Sequence, residues 1–224
     1  MGVQLPRWVW IGAGALACVA GRVNAGGYLG FEHQAVTHLT GTTTLFGAAL
    51  ATGDSHAATG LAGVAIAFMI GAALSGMIVQ DATLRLGRRY GVALALESLL
   101  LFASAYLFRR QEVSGAWLAA MACGLQNAMA TTYSGAIIRT SHLSGMFTDL
   151  GIGLGHALRG LPLQRRRLSL CALIISSFFA GGVIGTLLFR QIGTDALLVP
   201  AVLTGVVGVG YAIYRHRTMG AAQA

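Results

Sequence analysis

Two short stretches carry the side chains best suited to chemistry, Thr37-His38-Leu39-Thr40-Gly41 and Ser141-His142-Leu143-Ser144-Gly145. An imidazole titrates near neutral pH and can donate, accept or relay a proton. Thr or Ser just before a helix can cap its free N–H groups, and such a helix start favours anions or electron-rich oxygens. Glycine at the following position lets backbone or solute come close. The candidate substrate- or proton-binding residues are therefore Thr37, His38, Thr40, Gly41, Ser141, His142, Ser144 and Gly145, joined by Asp149. Asp149 stands where the first stretch has Leu45, so it either takes up protons beside the histidine motif or pairs with Arg139. Arg22, Asn24, Glu97, Asn127 and Arg139 are candidate intramembrane polar supports. Arg22 and Glu97, opposite in sign, suggest a buried ion pair, and the two asparagines suggest clamps on neighbouring backbone.

Enzymatic chemistry is not expected. Two histidines and a carboxylate could ligate zinc or iron, but the chain holds no H-E-x-x-H and no G-x-S-x-G. Cys18, Cys123 and Cys171 each sit in apolar sequence without a C-x-x-C spacing, so they read as small buried side chains. No catalytic residue, no metal and no cofactor is assigned.

The elements that position these groups must lie in lipid. Of 224 residues, 55% are hydrophobic and 10% charged, and the mean hydropathy is +0.70. A soluble domain carries about a quarter charged residues, so a polytopic membrane protein is the class that remains. All 15 basic residues are Arg, against 7 acidic ones. They lie mostly between apolar runs, where they set topology, and no basic stretch interleaves with aromatics to suggest nucleic acid. Arg7 and the apolar run up to Cys18 read as an uncleaved first helix.

About 20 apolar residues cross a bilayer. Six stretches qualify or nearly so, at residues 8–31, 57–79, 91–108, 116–138, 168–189 and 196–214. Residues 37–51 and 141–158 are apolar but shorter and rich in Gly, Thr and Ser, as re-entrant or half helices are. Connectors at 32–36 and 139–141 would let each start near the midplane. Placing His38 over His142 aligns two further Gly and one Leu and one Thr across eleven positions, and Gly21-x-x-Asn24-Ala25 matches Gly124-x-x-Asn127-Ala128 upstream. We read a duplication with a period of about 103 residues. The single membrane domain, 1–224, would comprise repeats at 8–108 and 116–214.

Three crossings per half invert the second half relative to the first. With the N-terminus inside, six crossings place Arg7, Arg85, Arg88, Arg89, Arg139, Arg159, Arg165, Arg166, Arg167, Arg215 and Arg217 in the cytoplasm. Only Arg109, Arg110 and Arg190 fall outside, whereas eight crossings would move Arg85, Arg88, Arg89 and Arg139 out to join Arg190 and bring Arg109 and Arg110 in. The expected fold is all-α, with six transmembrane helices and two short re-entrant helices in a 3+3 inverted repeat and both termini cytoplasmic. His38 and His142 would then face each other across the pseudo-two-fold.

The blocks Gly124-Leu125-Gln126-Asn127-Ala128, Tyr133-Ser134-Gly135 and Thr140 to Gly151, with Thr-His-Leu-Thr-Gly in the first half, resemble the YoaK-like family. These are bacterial inner-membrane proteins with about six spans and no established function. Members tend to have Asp where Asn24 stands and Asn where Thr42 stands. The resemblance implies a multi-pass inner-membrane location and a permease-like role. The expected function is a small-solute transporter or channel with a midplane site, and the alternative is a structural or regulatory membrane subunit. Expected partners are membrane lipids and a small polar or anionic solute, with a homo-oligomer allowed and nucleic acid excluded.

Overall fold

Long apolar runs without interior proline make helices here, and polar or glycine-bearing breaks end them. The computed structural model describes residues 6–30, 35–79, 89–134 and 138–221. Among them are eight α-helices and no strand: α1 (Arg7–Gly30), α2 (Leu39–Thr52), α3 (Ser55–Ile78), α4 (Arg89–Arg109), α5 (Ser114–Tyr133), α6 (Leu143–Leu158), α7 (Arg165–Ile192) and α8 (Leu198–Ala221), with a 3₁₀ turn, Gly193–Leu197, before α8. The chain is an all-α protein. Most of the connector expected at 32–36, and Arg85 and Arg88, lie outside the described residues.

Among the described residues, four helical stretches are long and apolar enough to cross a membrane: α1, α3, α4 and the continuous run Arg165–Tyr214, which holds α7 and most of α8. The expected span at 116–138 is α5, which does not reach that hydropathy. The reason is its position. Ala116, Ala119, Ala120, Ala122 and Leu125 are fully buried, because α5 is wrapped by α3, α4 and α1. A helix facing protein can carry Gln126, which is buried, and Asn127, Thr131 and Thr132, which are half-buried, with little polar exposure to lipid.

Three long pairs build the body: α1 with α7, α3 with α5, and α4 with α8. Glycine sets the first two. A Cβ on Gly21 would collide with the Phe178 carbonyl, and one on Gly181 with the Cys18 carbonyl. A Cβ on Gly124 would meet the Phe68 carbonyl, and one on Gly71 that of Met121. Lipid gives no hydrophobic reward for helix association, so close backbone approach at small residues, with its dispersion gain, is the main attraction available.

The contacts also give directions. Gly14 lies beside Ser177, Cys18 beside Gly181 and Arg22 beside Gly185, so α1 and α7 run parallel. The Trp117 indole donates to the Gly60 carbonyl at 3.2 Å, and further along Gly124 meets Phe68, so α3 and α5 are parallel too. Gly91 opposes Gly208, the Ser98 hydroxyl donates to the Ala201 carbonyl at 2.7 Å, and Arg109 pairs with Asp195 at the far end. The register falls as the other rises, so α4 and α8 are antiparallel.

The short helices are satellites. At ~1.5 Å per residue, the 14 residues of α2 and 16 of α6 reach only about 21 and 24 Å. α2 rests on α3 and α6 on α7, and they do not pack on each other. Gly53, at φ 73°, closes α2 in the left-handed region that suits glycine. Asp54 then caps α3 by accepting from the Ala57 N–H at 3.0 Å, which makes the α2–α3 hairpin tight.

Candidate functional site

The two histidine motifs fold as the starts of α2 and α6, with His38 and His142 themselves at the N-cap and no side-chain capping bond. This corrects the expectation that Thr37/Thr40 and Ser141/Ser144 would cap. Each ring instead lies back over its own first turn. A Cβ on Gly41 would come to 2.8 Å of the His38 ring, and one on Gly145 would strike the His142 ring. Glycine three residues after histidine therefore makes room for the imidazole. Both histidines, Thr40 and Ser144 are exposed. The structure does not bring the two motifs together, because their helices lie on different long helices.

Thr37 has another task. Its N–H and its hydroxyl both donate to Asn24 Oδ1, at 3.1 and 2.8 Å, tying the entry of α2 to α1. The second half does the same with different partners. The Thr140 hydroxyl donates to Gln126 Oε1 at 3.2 Å, tying the entry of α6 to α5. Gln126 also donates through Nε2 to Glu97 Oε1 on α4 at 2.9 Å. Glu97, Gln126 and Thr140 are 1%, 1% and 0% exposed, so the row is sealed inside the helices. Low surrounding polarity strengthens such bonds and raises the cost of any atom left out. Glu97 Oε2 and Asn127 Oδ1 are buried and without a partner among the described residues. Sequence reasoning singled out Asn127, the aligned equivalent of Asn24, and passed over Gln126 one position before it. The available signal was an uncharged amide inside an apolar run.

The remaining polar candidates separate. Arg22 and Glu97 form no ion pair: Glu97 is held by Gln126, and Arg22 Nε is buried with no partner among the described residues. Asp149 pairs with Arg167, not Arg139. The guanidinium donates Nε to Oδ2 at 3.0 Å and Nη2 to Oδ1 at 2.8 Å. The carboxylate thereby joins α6 to α7, while Arg139 is exposed. Among the described residues no three of His, Cys, Asp and Glu gather as metal ligands would.

One cavity brings several elements to a common space. It occupies about 430 Å³ between α1, α4, α5 and α8, under Ile138. Trp8, Leu16, Leu94, Met129, Leu203 and Tyr211 give it apolar walls, and Arg22 is the lining residue farthest along α1 from Trp8. The space exists because α1 and α8 barely touch, whereas α4 and α5 pack along their length. Gly12, Ala13 and Ala15 on α1 leave it wide. Its volume falls within the ~300–1,000 Å³ typical of small-ligand pockets.

No protein of described function and no solved structure matches the chain. A family model does match, over residues 12–210, which is most of the sequence and includes both histidine motifs, Gln126 and the helices around the cavity. The chain belongs to the DUF1275 family, proteins of unknown function.

Proposed function

We propose that the protein moves a small polar or anionic solute across a bacterial inner membrane, along a path between two inverted halves of three crossings each. Several observations support this reading. Exchanging α1 with α5, α2 with α6, α3 with α7 and α4 with α8 carries the pair α1–α7 onto α5–α3, leaves α4–α8 as itself, and carries α2–α3 onto α6–α7. The glycine contacts exchange likewise, Gly21 against Phe178 becoming Gly124 against Phe68. Helix direction bears on the crossing number. If α2 and α6 do not cross, alternation makes α1 and α7 parallel, α3 and α5 parallel, and α4 and α8 antiparallel, as their contacts run. Eight crossings would make α4 and α8 parallel.

The cavity carries the functional reading. An inverted-repeat carrier binds its cargo in mid-membrane between the halves, and this cavity lies where α1 and α4 of one half meet α5 and α8 of the other. The site is thus moved from the histidine motifs to the cavity. His38 and His142 become structural starts of the short helices, and both termini lie in the cytoplasm. The role is transport rather than catalysis.

A non-transporting subunit is the second reading. One feature favours it: Gly47, Gly151 and Gly155 on α2 and α6 have open space where a Cβ would stand, as small residues awaiting another helix do. Solid-supported-membrane recordings on proteoliposomes separate the two. Jumps of carboxylate and sulfonate anions should evoke currents absent from empty liposomes, and Leu203→Trp, which narrows the cavity, should reduce them at least about tenfold. Protein that is folded yet silent toward every anion would favour the subunit.

A further inference from the structure

The transport reading leaves the cargo open, and the cavity narrows it. Arg22 lines the cavity, and its Nε makes no hydrogen bond among the described residues. The described carboxylates are occupied elsewhere: Asp54 caps α3, Glu97 holds Gln126, Glu112 accepts from Ser114, Asp149 holds Arg167 and Asp195 holds Arg109. A guanidinium that lines an apolar cavity without a counter-ion among the described residues favours an anion that reaches it. The rest of the lining selects the remainder of that anion. Its walls are apolar along α1 from Trp8 to Arg22, fourteen residue steps or about 21 Å of helix. A small hydrated anion would gain nothing from those walls, and a two-chain lipid would exceed about 430 Å³.

We infer that the cavity binds a single-chain amphiphile with one anionic head, a monocarboxylate in the first instance, its chain along α1 and α8 and its head on Arg22. This rests on the same cavity as the transport reading but concerns occupancy, so binding without current would sink that reading and leave this one.

The probe is dodecanoate, titrated onto the intact protein in uncharged detergent and counted by native mass spectrometry. One dodecanoate should bind saturably, with dodecanol much weaker and dodecyltrimethylammonium not competing. Arg22→Gln should weaken it about tenfold or more, the scale of a charged hydrogen bond, and Arg22→Lys by less. Should Arg22→Gln fail to fold, Leu203→Trp keeps the charge while narrowing the cavity and should weaken the bound adduct at least about tenfold. Equal affinity for dodecanol and dodecanoate, or binding unchanged in both variants, overturns the proposal. Displacement of dodecanoate by phosphatidylglycerol would assign the cavity to a bilayer lipid and overturn it equally.

Discussion

Gln126 on α5 bonds Glu97 on α4 through its Nε2 at 2.9 Å, while its other amide atom receives the hydroxyl of Thr140. One side chain thus fastens the α4–α5 hairpin and ties down the entry of α6. Asn24 serves the first half more simply, holding Thr37 alone. The second half therefore has the larger stake in its amide.

Replacing Gln126 with Leu should cost about 2–4 kcal/mol, because it leaves the Glu97 and Thr140 oxygens buried and unbonded. Glu97→Gln can keep the α4–α5 bond and should cost less than about 1 kcal/mol. Equilibrium unfolding in detergent measures both. Equal losses would show that the amide is not the organising group.

Gly21→Ala and Gly124→Ala should each destabilise by about 1–3 kcal/mol or more, since the added carbon meets a helix carbonyl that cannot rotate away. Gly47→Ala and Gly151→Ala meet open space and should be neutral or slightly stabilising within helices. Thermal unfolding of the four variants checks the contrast, and uniform effects would contradict the glycine-set packing.

Asp149 and Arg167 form a bidentate pair with the arginine largely exposed. Asp149→Asn should lower stability by no more than about 1 kcal/mol. Exchanging the two residues should restore most of the loss. A collapse of transport in Asp149→Asn with stability intact would return the carboxylate to the proton-uptake role.

The histidines decide between two locations for the site. His38→Ala and His142→Ala should leave anion currents within about twofold, because neither lines the cavity. Arg22→Gln should reduce them at least about tenfold. The opposite pattern, measured on the same proteoliposomes, would put the solute back at the short-helix starts.

Much of this architecture was legible in the residues. Apolar runs of about 20 announced the long helices, and the Gly, Thr and Ser content of 37–51 and 141–158 marked α2 and α6 as different. The block Gly21-x-x-Asn24 pointed to Gly21 and its counterpart Gly124, which turned out to sit at helix contacts. Pairing among distant side chains was not legible. Periodicity says which residues share a face, but whether Arg22 meets Glu97 depends on how far α1 stands from α4. The cavity was invisible for a related reason: a gap between α1 and α8 is a property of two packing surfaces, and neither helix alone records it. The place of the imidazoles was not legible either: Gly41 and Gly145 read as room for a solute, and each has its own histidine ring beside it.

The inverted arrangement is tested most directly by the side of the membrane on which the α4–α5 turn lies. With Cys18, Cys123 and Cys171 replaced, Gln111→Cys can be probed with a membrane-impermeant maleimide on intact spheroplasts, beside Leu161→Cys in the α6–α7 turn. Six crossings with non-crossing α2 and α6 predict that position 111 is labelled from outside and position 161 only after lysis. Protection of both positions until lysis is the pattern of eight crossings, and would contradict two halves of opposite orientation.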